Sequence, residues 1–212
     1  MAGLFPPWSD PLLRGALLAI AGGSIIALSV LMLYVRTPYN DQRAYGVEQP
    51  VQFDHRHHVR DDGIDCRYCH ATVDRSATAG IPATELCMGC HAQIWNQSEK
   101  LAPVRASFFG NIPIRWNRVH DLPDFVYFNH SVHVHAGVEC AECHGDVSSM
   151  PLVAKVQSLS MGFCLDCHRN PEARVPNYRL RTRRVTSTDD LLASAGARVE
   201  DNPLLTCSAC HR

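Results

Sequence analysis

All ten cysteines of the 212-residue chain fall into C-x-x-C pairs, and a histidine follows every pair: CRYCH at 66–70, CMGCH at 87–91, CAECH at 140–144, CLDCH at 164–168 and CSACH at 207–211. A bare C-x-x-C suits half a zinc site or a redox-active dithiol, whereas C-x-x-C-H is the attachment signature of c-type haem. Two thioether bonds fix the porphyrin edge, and the adjoining imidazole is carried to the iron as its proximal ligand. The expected covalent anchors are Cys66, Cys69, Cys87, Cys90, Cys140, Cys143, Cys164, Cys167, Cys207 and Cys210. The expected proximal ligands are His70, His91, His144, His168 and His211, which makes the expected cofactor content five covalently attached c-type haems.

Twelve histidines less these five leave His55, His57, His58, His120, His130, His133 and His135. Five irons need five distal ligands, so the supply suffices for every haem to be six-coordinate. An imidazole on both faces closes the iron to substrate and favours electron transfer. Most of the seven lie in or beside a repeated pattern, F-[DN]-H-x-x-H-V: FDHRHHV at 53–59 leads to CRYCH and CMGCH, and FNHSVHV at 128–134 leads to CAECH and CLDCH. This defines two dihaem modules, 51–100 and 126–170, with the fifth motif at 207–211 outside them. If the histidines of each copy serve their own module, as the family resemblance given below implies, the fifth iron needs a distal ligand from outside the repeat. His120, in IRWNRVHDLPDFVYF at 114–128, is the first choice; Met150 or Met161 would instead give His/Met coordination and a higher potential. His57 and His135 read as propionate or surface partners, and Trp116, Phe125, Tyr127 and Phe128 as walls for a porphyrin. RLRTRR at 179–184 divides between a docking patch and pairing with acidic propionates.

The elements that must hold these groups are few. Gly15 to Val35, GALLAIAGGSIIALSVLMLYV, is uncharged throughout and long enough to cross a bilayer as a helix. It is longer than the apolar core of a cleavable signal peptide and ends without a small-residue cleavage pattern, so an uncleaved signal anchor is expected. Gly15, Ala19, Gly23 and Ala27 make a small-residue stripe on that helix, which suits a neighbouring helix or simply reflects membrane composition. Arg14 before the span and Arg36 and Arg43 after it leave the orientation open. Haem attachment decides it, because c-type haem is attached on the outer face of a prokaryotic membrane. The expected organisation is a cytoplasmic tip and anchor at 1–36, an irregular linker at 37–50 and a periplasmic haem domain at 51–212. Helical periodicity is weak beyond the span. The expected fold is a small, irregular, mostly α/coil multihaem domain with short helices through the C-x-x-C-H motifs, through about 84–100 and through STDDLLASAGAR at 187–198. Bulk composition, with 46% hydrophobic residues and a net charge of −1, decides nothing further. No phosphate loop, nucleophile triad or nucleic-acid signature is present, and no nucleic-acid partner is expected.

The phrase FNHSVH followed by CAECH resembles the class III multihaem cytochromes c. That resemblance implies that the first histidine of F-x-H-x-x-H ligates the haem whose motif follows, and that the second reaches another haem. His130 would then serve the haem of His144 and His133 that of His168, with His55 and His58 acting similarly for those of His70 and His91. The passage RWNRVHDLPDFVYFNHSVHV at 115–134, together with the anchor and the motif count, resembles the pentahaem cytochrome subunits of alternative complex III. That resemblance implies a relay in the bacterial inner membrane. It would take electrons from quinol oxidation through membrane and iron–sulfur subunits of a respiratory or photosynthetic complex, and pass them to a monohaem cytochrome c or soluble acceptor. The chain would make and break no substrate bond itself. A membrane-anchored quinol dehydrogenase feeding a periplasmic reductase, or a multihaem reductase, would each need one open iron. None of the motifs carries the lysine that often replaces the histidine in such reductases.

Overall fold

A computed structural model describes residues 6–175 and 205–211. The helical segment expected at 187–198 and the basic run at 179–184 lie outside the described residues. The chain divides into two compact units, Met1–Arg43 and Ala44–Arg212.

The first unit is dominated by α1, Ser9–Tyr34. The Ser9 hydroxyl donates to the Pro6 carbonyl at its start, and Arg14 pairs with Asp10 one turn apart. At 1.5 Å per residue this helix is about 39 Å long, more than the roughly 30 Å of bilayer hydrocarbon. No residue of α1 is buried within the protein, and the helix is long and apolar enough to cross a membrane. After Tyr34 the Thr37 hydroxyl and Asn40 amide cap the last carbonyls, those of Tyr34 and Val35.

The second unit is helix and coil; among the described residues it has no strands, only isolated bridges between Gly46 and Ala154 and between Val126 and His211. Its helices are α2 (Cys66–Cys69), α3 (Thr84–His91), α4 (Ala102–Gly110), α5 (His130–Ala136), α6 (Cys140–His144), α7 (Met161–Arg169) and α8 (Cys207–Cys210). A π-helical turn at Arg56–Asp61 precedes α2. The expected helix over about 84–100 stops at His91, because Trp95 takes a left-handed backbone (φ 57°) and a turn closes from Ser98 N–H to the Trp95 carbonyl. Helix resumes as a 3-10 turn at Glu99–Leu101 and continues as α4. The stretch read as linker is partly paired: Ala44 N–H donates to the Lys155 carbonyl (2.8 Å) and Val47 N–H to that of Val153 (3.1 Å).

The apolar core is small. Val51, Met88 and Val104 form a buried cluster flanked by Cys87, Leu101, Ile114 and Trp116, and among the described residues the other buried apolar side chains are Val73 and Val175. Trp116 thus packs on protein core beside Cys87. Tyr68, Ile94, Trp95, Phe109, Ile112, Phe125 and Val132 stand largely exposed in the protein alone. A domain this size ordinarily hides such groups.

Candidate haem-attachment sites

Each C-x-x-C pair lies on its own short helix, α2, α3, α6, α7 or α8. Residues three apart share a helix face, so the two thiols of a pair emerge side by side and the next histidine swings out at or near the helix end. The caps are local: the Asp65 carboxylate accepts from Arg67 N–H (2.8 Å) to start α2, and the Ser160 hydroxyl accepts from Phe163 N–H (3.4 Å) in the first turn of α7. All ten thiols are unbridged, at exposed or half-buried positions.

Two of the motif histidines are aimed by backbone. His70 Nδ1 donates to the Gly80 carbonyl (2.7 Å) and His91 Nδ1 to the Ile94 carbonyl (3.0 Å). A carbonyl can only accept, so the proton sits on Nδ1 and Nε2 keeps a lone pair for a metal. Gly80 is required in that role: its φ is 77°, and a Cβ there would stand 2.7 Å from the Thr72 hydroxyl oxygen.

The two copies of F-[DN]-H-x-x-H fold alike, and each letter they share has a task. Asp54 accepts from Arg56 N–H (2.9 Å) and Asn129 from Ser131 N–H (3.0 Å), each starting its turn. The backbone carbonyls of the same two residues accept from Nδ1 of His58 (3.2 Å) and His133 (2.8 Å). Phe53 lies edge-on to His55 and stacked on His58, with ring centres 4.7 and 4.5 Å away. Phe128 does the same to His130 and His133, at 4.7 Å each. The roles of Asp54 and Asn129 are visible in the repeat as cap residues but carry no haem signal by themselves.

Each turn thereby presents two imidazoles to two motifs. His58 stands 6.0 Å from His91, His130 stands 6.3 Å from His144 with planes 6° apart, and His133 stands 6.2 Å from His168, all between ring centres. His55 is within electrostatic reach of His70, and its Nδ1 is buried without a hydrogen-bond partner. Two metal–imidazole bonds of about 2 Å each, with roughly 1 Å from each nitrogen to its ring centre, put ring centres about 6 Å apart. The three measured spacings match that sum, so the residues present fit an iron held between paired imidazoles.

Burial favours the neutral form of three of these rings, those of His55, His133 and His144. Burial pulls His144 down to about 4, assisted by nearby His120, His130 and His70. His55 and His133 are lowered by burial first and then by neighbouring histidines, although for His133 the bond to Asn129 works the other way. Burial likewise pushes the Cys143 thiol up to about 11.

The remaining sequence candidates fall elsewhere. The structure sets His120 against His144 rather than His211: its Nε2 is 3.4 Å from His144 Nδ1 and the rings meet edge-to-face at 4.4 Å. The ring stacked on His211 is that of Phe125, at 5.7 Å, because residues 126 and 127 pair with the fifth motif through the Val126–His211 bridge and the Tyr127 N–H bond to the Cys210 carbonyl (2.7 Å). Met150 packs by Gly145, with its methyl 3.3 Å from where a Cβ would stand, and Met161 is exposed at the start of α7. His57 stacks on Trp95 at 5.7 Å beside Asp61 and Asp62. His135 Nδ1 donates to the Ser131 carbonyl (2.7 Å).

A helix-and-coil unit with a small core and covalent-attachment motifs on its helices defines a class, the multihaem cytochromes c. Residues 126–212 match the family of cytochrome c7 and related cytochromes c, and residues 33–106 match the class III cytochrome c family. The chain is 33% identical over 176 residues to the menaquinone reductase multiheme cytochrome c subunit of Nitratidesulfovibrio vulgaris, covering 78% of this chain and 77% of that protein. The chain belongs to this family of multihaem cytochrome c subunits, and its business is electron transfer through covalently bound c-type haem.

Proposed function

We propose that the chain is the electron-relay subunit of a quinol-oxidising complex in the bacterial inner membrane, of the alternative complex III kind. In this reading α1 is an uncleaved single-pass anchor, residues 51–212 lie on the periplasmic side, and five c-type haems occupy the five motifs. Bound haem would supply one-electron exchange at iron; the protein would supply the thiol anchors and, for the motifs of His70, His91, His144 and His168, a second imidazole facing the motif histidine. The dihaem modules 51–100 and 126–170 are held by the turns carrying His55 and His58, and His130 and His133.

The observation that carries the reading is the matched spacing of 6.0, 6.3 and 6.2 Å between a repeat histidine and a motif histidine. A metal gripped from both sides has no position for substrate, so the chain relays charge and leaves bond chemistry to its partners. Those partners would be membrane and iron–sulfur subunits on one side, and a monohaem cytochrome c or soluble acceptor on the other.

Carbon monoxide tests it. Pyridine haemochrome analysis of the purified full chain is expected to give five haems, and carbon monoxide is expected to leave the reduced spectrum unchanged at the haems of His70, His91, His144 and His168. Carbon monoxide binding at any of these four haems would overturn the closed-iron reading, and stoichiometric binding at the haem of His211 would favour a reductase with one open iron instead.

A second reading concerns direction. The relative is named for menaquinone reduction, which supports a relay delivering electrons to quinone instead. In the intact membrane complex, reduction of the haems by added quinol supports the first direction; oxidation of pre-reduced haems by added quinone, with no reduction by quinol, supports the second.

A further inference from the structure

The order of the motifs along the chain need not be their order in space. The turn carrying His55 and His58 addresses His70 and His91, which joins the first and second motifs. A cavity of about 370 Å³ between them is lined by Ile64, Asp65, Tyr68 and Cys90. α5 addresses His144 and His168, which joins the third and fourth; Arg174, just beyond α7, reaches Glu142 of the third motif at 3.8 Å.

The junction between the halves falls on the first motif. The loop after CRYCH supplies the Gly80 carbonyl to His70. The same loop takes His130 and Ser131 onto its Ala77 and Ser76 carbonyls (3.2 Å each from the backbone N–H groups), and His130 Nδ1 also bonds Ala77 (2.8 Å). One loop thus grips a ligand candidate of the first motif and one of the third. The thiols agree: Cys140 of the third motif has Cys66 of the first as its thiol neighbour, whereas Cys87 of the second has Cys69 of the first. At the far end Cys164 of the fourth motif is within electrostatic reach of Cys210 of the fifth, and the fifth motif is held by Val126 and Tyr127 just before α5.

We infer that the five attachment motifs form a single row in the order second, first, third, fourth, fifth, so that CMGCH at 87–91 and CSACH at 207–211 are its two ends. This order rests on the reading of each motif as a haem site and adds to it where partners must meet the chain: electrons enter and leave a row at its ends. The first motif, nearest the anchor in sequence, is then interior.

The test is a stepwise redox titration of the detergent-solubilised full chain, followed by NMR of the haem methyl signals. Oxidation of one haem shifts the midpoint of its spatial neighbours most. The haem of His91 is expected to couple to that of His70 and to leave that of His144 unmoved. A His58→Met variant, which changes one axial ligand of the second haem, is expected to displace the titration of the first haem and not of the third. Coupling of the second haem to the third as strong as to the first would restore the sequence order and overturn the inference. Should the variant fail to mature, the pairwise couplings of the unaltered chain still decide between the two orders. Fewer than five haem signal sets would instead strike the reading of the sites, a distinct result.

Discussion

His120 shows how a residue's neighbour changes its chemistry. Its Nε2 faces the Nδ1 of His144, where His70 and His91 have backbone carbonyls. A group that accepts from Nδ1 makes an imidazole a stronger donor to its metal. Removing it with His120→Leu is therefore expected to raise the reduction potential of the haem at His144, and His120→Gln, which can still accept, is expected to restore most of the shift in a spectroelectrochemical titration. A high-spin haem appearing in the Leu variant would show that His120 is itself an iron ligand. The sequence marks this histidine as important by subtraction, and subtraction cannot tell a ligand from the partner of one.

At the scale of the element, the repeated turn is a device with a cap, an aromatic brace and two imidazoles. Replacing Asn129 by alanine removes the cap of α5 and should cost about 1 kcal/mol, read as a lower thermal midpoint. Gly137 ends α5 at φ 86°, so Gly137→Ala is expected to cost a similar amount, about 1 kcal/mol. In the first copy the cap is ionisable. The Arg56 guanidinium beside Asp54 holds its carboxyl down to about 2, so its stabilisation is present above the ordinary value of 3.8 and is lost as pH falls from there through about 2. Asp54→Asn should keep the turn, as Asn129 shows an amide can, while flattening that acid dependence. Acid titration of the low-spin haem spectrum in both proteins checks it.

For the molecule as a whole, the small apolar core matters most. Five buried apolar side chains stand out among the described residues, and large groups such as Trp95 and Phe109 lie open in the protein alone. Porphyrins would cover such surface, so folding and haem attachment are expected to be coupled: expression without haem maturation should yield a chain degraded or molten by near-UV circular dichroism, with α1 still able to insert. Deleting residues 1–36 and supplying a cleavable export signal is expected to release a soluble protein of unchanged haem content. Loss of haem along with the anchor would show that the two units depend on each other.

The covalent chemistry was legible because it is local: two thiols and an imidazole must sit within five residues, and the motif count follows by reading along. The long apolar helix was equally legible, since composition over one helix decides it, and the repeat announced the paired turns. What only the tertiary structure decided were relations between residues far apart: that Ala77 receives His130, that His120 turns to His144, and that Phe125 covers His211. Sequence spacing carries no such record, because backbone carbonyls of any residue type can accept a histidine proton and the loops that deliver them are set by packing.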